Sequence, residues 1–211
     1  MKITKWQTLL STGEYESSPE YDFIENQIRE AIHHVVWPIG SDAFTIYPES
    51  GKKSDEGNGV KPIKLGFTKY LHNHGWTLEE KAGRGRGKGP HPGAFDCHWR
   101  WPETESDFLP FAVEWETGNI SSSHRAINRL ALGILEGWLS GGILVVPSEK
   151  LAPYLTDRIG NEPELRPYIP LWKHWKSLAT PSYLGIVTIE QDAESWDVPR
   201  IPKGTDGRAR R

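Results

Sequence analysis

The 211-residue chain carries 25 Lys and Arg against 28 Asp and Glu, and 36% of its residues are hydrophobic. That length holds one sizeable core, and that composition is too apolar for a disordered chain. No apolar run approaches the roughly 20 residues of a membrane span. The opening "MKITKWQTLLSTGEYESS" lacks the apolar centre of an export signal, and the single Cys97 excludes an intrachain disulfide. These features predict one domain over residues 1–211, cytoplasmic and without a membrane partner.

The net charge of −3 is unevenly spread. Residues 1–60 hold ten Asp or Glu against five Lys or Arg, whereas residues 61–90 hold seven Lys or Arg against Glu79 and Glu80. A flexible basic loop is expected at about 83–92, where "GRGRGKGPHP" alternates cations with glycine, and a basic tail at about 199–211. Segregated positive charge of this kind suits a phosphate backbone, although a solvated loop and tail would look the same.

In chain order, an acidic leader precedes a helix in "SPEYDFIENQIREAIHHVVWP". Ser18 offers its N-cap, Pro19 its first position, and Phe23, Ile24, Ile28, Ala31, Ile32 and Val35 its buried stripe. "AFTIYP" reads as a short strand, "SGKKSDEGNG" as a loop, and a second helix falls around Phe67–His74, stopped by Gly75. "AFDCHWRWP" and "LPFAVEWET", joined by "ETESD", read as a β-hairpin. A third helix carries Ile127, Leu130, Ala131, Ile134, Leu135 and Trp138 at helical spacing and is expected to stop at Gly141–Gly142. "ILVVP" then reads as a strand buried on both faces, "SEKLAPYLTDRIGN" as a short helix and loop, and "YLGIVTIE" as a late strand. Strands alternating with helices predict an α/β fold around a mixed central sheet.

Within this pattern, Glu114 and Glu116 are two apart in a strand and share a face, and a hairpin partner brings Asp96 beside them. Converging carboxylates repel unless a cation lies between them, and oxygen donors alone favour Mg²⁺ or Mn²⁺ over zinc. Such an ion activates water toward a phosphate, with one carboxylate as general base. Taken alone, an E-x-E pair is far more often the mark of an ordinary exposed strand face, and it is Asp96 upstream and the polar helix start that shift the balance. The run Asn119, Ser121, Ser122, Ser123, His124 and Arg125 that follows is more polar than a helix cap requires. It sits at a helix N-terminus, where anions are favoured, and Asn and Arg are side chains suited to base edges.

The layout "FD…EWE" resembles the PD-(D/E)xK nuclease core with Glu116 in the usual lysine position, and more specifically the type II restriction endonucleases of the BamHI and BglII group. Asn119, Ser121 and Arg125 stand at that group's offsets after the E-x-E pair, and "YLTDRIGN" supplies a matching Asp157–Arg158 pair. "NGVKPIK" and "GW" with the acids after it add weaker blocks, so the likeness covers residues 20–172 in pieces.

The resemblance implies a restriction-endonuclease-like core that cuts double-stranded DNA at a short palindrome, often centred on GATC. It further implies a Mg²⁺ requirement that Mn²⁺ can meet, a homodimer and a cognate DNA methyltransferase. Asp96, Glu114 and Glu116 become catalytic residues and metal ligands, with the Trp115 carbonyl and an upstream helix acid, Glu80 or Glu79, beside them. Asn119, Ser121, Ser122, Arg125, Asp157, Arg158, Lys61 and Lys64 become DNA contacts. The residues also leave open a repair or modification-dependent nuclease on the same core, and a non-catalytic DNA-binding module.

Overall fold

Alternation and helical periodicity resolve, in a computed structural model, into a six-stranded sheet with helices on both faces; residues 1–53, 56–81, 92–102, 104, 106–156, 159–174 and 181–203 are described. In chain order the elements are β1 (Lys2–Thr12), α1 (Pro19–His33), β2 (Thr45–Ile46), α2 (Lys61–Asn73), β3 (Thr77–Lys81), β4 (Ala94–Trp99) and β5 (Phe111–Trp115). They continue with α3 (Ile120–Leu135), β6 (Gly141–Pro147), α4 (Glu162–Leu165), α5 (Ile169–Lys173), β7 (Ser182–Glu190) and β8 (Ala193–Glu194). The large sheet runs β1-β7-β6-β5-β4-β3, with β5, β6 and β7 parallel and the remaining pairs antiparallel. The α/β class with a mixed sheet is therefore as expected.

Two apolar layers close on this sheet. Ile24 and Ile28 of α1 and Ile63, Phe67 and Leu71 of α2 pack on Val113, Val145 and Val187. On the other face, Ile127, Leu130 and Ile134 of α3 and Trp172 of α5 pack on Ala112, Leu144, Leu184 and Ile186. Burial on both faces explains why β6 and β7 show no polar face. Helix α1 begins as expected: the Ser18 side chain accepts from the Tyr21 N–H at 3.1 Å, and Pro19 occupies the first turn.

Several boundaries differ from the sequence reading. The acidic leader contains an eleven-residue edge strand, β1, paired antiparallel with β7. Helix α2 starts at Lys61, because Pro62 falls in its first turn, where the missing N–H costs nothing. Helix α3 ends at Leu135, and the left-handed Gly137 (φ 68°) turns the chain; Gly141 and Gly142 open β6 instead of stopping the helix. Leu135 is thus exposed, while Ile127, Leu130 and Ile134 keep the buried stripe. Among its described residues, "SEKLAPYLTDRIGN" shows a 3₁₀ turn over Ala152–Tyr154 in place of the expected short helix. Most of the predicted basic loop and the tail beyond Lys203 lie outside the described residues. No described helix is long and apolar enough to cross a membrane.

Helix α3 is anchored at Gly142, where an added Cβ would stand 2.8 Å from Leu130 Cδ2. Leu130→Ala should therefore lower unfolding free energy by about 2–5 kcal/mol in a urea titration. A loss under about 1 kcal/mol would mean that α3 does not depend on this contact.

Candidate active site

The carboxylates gather at the C-terminal end of β5. Glu114 is 0% exposed within β5, and Glu116 lies just past its end, where its N–H donates to Val145 O at 2.9 Å. Asp96 in β4 receives the Trp115 N–H on Oδ2 at 2.8 Å. Hairpin alternation alone does not place it there. Phe95 packs under α3 whereas Cys97 packs toward α1 and α2, so side chains two apart lie on opposite faces and the alternation breaks at Asp96. The break coincides with a gap in the pairing: Leu78 pairs with Cys97 and Glu80 with Phe95, while Glu79, between them and opposite Asp96, adopts the left-handed region at φ 53°.

Two cations hold these acids apart. Lys64 Nζ of α2 donates to Asp96 Oδ1 at 2.6 Å, and Arg129 Nε of α3 donates to Glu114 Oε1 at 2.5 Å. Among the described residues, no three His, Cys, Asp or Glu side chains are gathered closely enough to hold a metal as they stand. The donor set nevertheless suits one. It is all oxygen, and Glu114 Oε2 is buried without a hydrogen-bond partner. A hard cation would satisfy that atom.

The local electrostatics follow from burial. Desolvation pushes the Glu114 carboxyl up to about 8, against the opposing charge of Arg129 and with the help of Asp96 and Glu116. Glu116 is raised by burial and then by Asp96, with Lys64, Arg125 and Arg129 pulling the other way. Burial alone would lower the Lys64 ammonium, but Asp96 and, beyond it, Glu116 and Glu79 carry it above its ordinary range.

The remaining expected site residues partition. Asn119 caps α3, its Oδ1 accepting from the Ser122 N–H at 3.2 Å. Ser121 and Arg125 are exposed, Ser122 is half-buried, and Ser123 is buried beneath Gly160. His124 turns away to stack edge-on against Tyr168, ring centroids 4.4 Å apart. The acid expected on an upstream helix is instead on strand β3. There Glu80 pairs with Arg100 at 3.3 Å, while the charge of Glu79 reaches Lys64 and Cys97. Lys61 is exposed on the first turn of α2.

Asp157 and Arg158 lie outside the described residues, but the chain on either side is tied to this end of the sheet. Gly160 N donates to Gly118 O at 2.9 Å, and Thr156 N donates to Asn58 O at 2.8 Å. Asn58, fully buried, also donates through Nδ2 to Tyr47 O (2.7 Å) and Tyr154 O (3.0 Å) and accepts from Ile201 N (3.1 Å) at Oδ1.

Residues outside the sequence expectation complete the site. Arg129 was legible only as another helix charge, although it follows Arg125 by one turn and sits among the apolar positions Ile127, Leu130 and Ala131.

A mixed sheet between helical layers, with carboxylates at the end of its central parallel strands, places the chain among the restriction-endonuclease-like nucleases. The family model for restriction endonuclease BamHI matches residues 1–208, so the chain belongs to the BamHI family and the likeness extends well past the blocks at 20–172. The chain is 42% identical to the type II restriction enzyme OkrAI of Oceanobacter kriegii over 99% of each chain. It is 33% identical to the type II restriction enzyme BamHI of Bacillus amyloliquefaciens, covering 88% of this chain and 82% of that one. The fold is also that of the crystal structure of restriction endonuclease BglII complexed with a DNA 16-mer. That match has a TM-score of 0.59 and 11% identity over 91% of this chain and 79% of the other. Enzymes of this family generally depend on a divalent metal.

With its folded-state carboxyl raised from 4.5 to about 8, Glu114 binds a proton more tightly folded than unfolded. Below pH 4.5 both states are protonated; between those values only the folded state is, so stability falls as pH rises through this window. Melting temperature measured in EDTA should decline between about pH 5 and pH 8, and Glu114→Gln should flatten the decline. An unchanged slope in that variant would assign the pH dependence to other groups.

Proposed function

We infer that this site-specific DNA endonuclease hydrolyses double-stranded DNA at the C-terminal end of β5, with Asp96, Glu114, Glu116 and the Trp115 carbonyl as the ligands of a divalent metal. Mg²⁺ is the metal proposed, with Mn²⁺ able to substitute. The observation that carries this reading is the buried, unpartnered Oε2 of Glu114 beside two further carboxylates. A divalent ion held there supplies a water of lowered pKa and a Lewis acid for the phosphate.

The protein groups do the rest. Glu116, half-buried and with a carboxyl raised by its surroundings, accepts a proton from the attacking water. Water oxygen bonds to phosphorus as the bond to the 3′ oxygen breaks, leaving a 5′-phosphate and, once that oxygen takes a proton, a 3′-hydroxyl. Lys64, now on Asp96, is a cation at the reacting end, and Glu79 is better placed than Glu80 as the additional acid.

Recognition falls to residues around the same end. Asn119 spends Oδ1 on its helix cap and keeps Nδ2 as a donor for DNA. Ser121, Ser122 and Arg125 follow on α3, Lys61 stands at the start of α2, and Asp157 and Arg158 complete the set. A two-fold palindrome matches a two-fold protein, so the enzyme acts as a homodimer, in a cytoplasm where a cognate methyltransferase protects the host's own sites.

Plasmid digestion with Mg²⁺ should give discrete fragments, and EDTA should abolish them; a smear would instead support a non-specific nuclease on this core. Glu116→Ala should cut no DNA while binding it as tightly as wild type or more so, and normal cutting by that variant would remove Glu116 from the mechanism. Arg125→Ala should weaken binding to the cleaved site by about 1–3 kcal/mol. An equal loss on random DNA would make Arg125 a phosphate contact.

A further inference from the structure

We propose that Arg129 is a positioning residue for the reaction: it fixes Oε1 of Glu114 so that Oε2 is the atom presented to the metal. This rests on the metal reading above. Three observations carry it, and the first is the asymmetry of the carboxylate. Oε1 takes the Arg129 Nε–H at 2.5 Å, while Oε2 is buried and has no hydrogen-bond partner. A carboxylate fully removed from solvent with one oxygen held has little freedom to exchange its two oxygens by rotation.

The second observation is that the guanidinium is held from its far side. Arg129 Nη1 donates to Pro92 O at 3.2 Å, just ahead of β4. The planar fork therefore bridges Glu114 of β5 and the entry to β4 on α3, which fixes its orientation as a single ammonium would not. The third is the shape of the backbone beside it. Gly93 adopts φ 103°, and a Cβ there would stand 2.5 Å from Arg129 Nη1. The chain leaves a notch the width of the guanidinium, and the Arg129 side chain within it is 11% exposed.

A surface ion pair would need none of this. The Arg29–Glu25 pair on α1, with the arginine side chain 40% exposed, shows the ordinary alternative. Because Arg129 orders a carboxylate rather than touching the reacting atoms, it acts on metal affinity and not on DNA affinity. Partners that orient metal ligands in this way are worth about 10- to 100-fold in metal binding.

The test follows Mn²⁺ binding to the full-length protein by loss of the free-ion EPR signal, together with DNA binding in EDTA and melting temperature. Arg129→Met keeps much of the apolar stem and should weaken Mn²⁺ binding at least about 10-fold while DNA binding in EDTA stays within about two-fold. Arg129→Lys, which retains a charged donor toward Oε1 but not the fork that also reaches Pro92 O, should recover part of the loss. If Arg129→Met does not fold, Arg129→Gln is read by the same criteria. Mn²⁺ affinity that is unchanged or tighter in the neutral variant, or a Lys variant as impaired as the neutral one, overturns the proposal. The two readings fail separately: Mn²⁺ binding that survives Glu114→Ala refutes the metal site itself. Binding lost in Glu114→Ala but kept in Arg129→Met refutes only the role of Arg129.

Discussion

Everything at the cutting end depends on a carboxylate that the fold removes completely from water. Glu114 sits in a central strand between two apolar layers, where an unpaired charge is untenable. The structure answers with Arg129 on one oxygen and leaves the other empty of partners. Charge compensation on one side and its absence on the other leave Glu114 with one satisfied and one unsatisfied oxygen, the asymmetry on which the proposed metal site rests. Asp96 is held differently, with Lys64 on Oδ1 and the Trp115 N–H on Oδ2, so both of its oxygens have partners.

Helix α3 joins this chemistry to recognition. Its first turn carries Asn119, Ser121 and Ser122, its second Arg125, and the next turn Arg129. Arg125 and Arg129 stand four residues apart and so lie on one side of the helix, one acting on Glu116 and the other on Glu114. A shift of α3 on the sheet would move its polar first turn and the carboxylates' counter-charges together. The apolar contacts of Ile127, Leu130 and Ile134 thus set where both arginines stand.

Legibility in the sequence followed the strength of the local signal. The capped start of α1, the apolar stripe of α3 and the unbroken apolar runs of β6 and β7 were readable because one residue pattern dictated each. Strand β1 was not, since an edge strand open to solvent carries Lys2, Thr4, Lys5, Thr8 and Ser11 and shows no clean alternation. Strand β3 was hidden for the same reason, being the opposite edge and mostly polar. In the site, Asp96, Glu114 and Glu116 were readable from strand spacing, though the path of Asp96 depends on an interruption that no spacing announces. Lys64 and Arg129 were visible only as charges on helices. Their partners are 32 and 15 residues away, and only the packing of α2 and α3 on the sheet brings them together.

The crossing at Asn58 bears on when in synthesis the entry of α2 can be fixed. Its side chain joins Tyr154 across 96 residues and Ile201 across 143, tying the entry of α2 to segments made much later in synthesis. Loop closure of that span costs entropy that only an almost complete fold offsets. The neighbouring glycines leave no slack: a Cβ on Gly59 would lie 2.0 Å from Pro202 O. The entry of the helix that brings Lys64 to Asp96 is therefore held by contacts that need both Tyr154 and Ile201 in place. In a chain that stops short of Ile201, the entry of α2 lacks this clamp, although Asp96, Glu114 and Glu116 are already present.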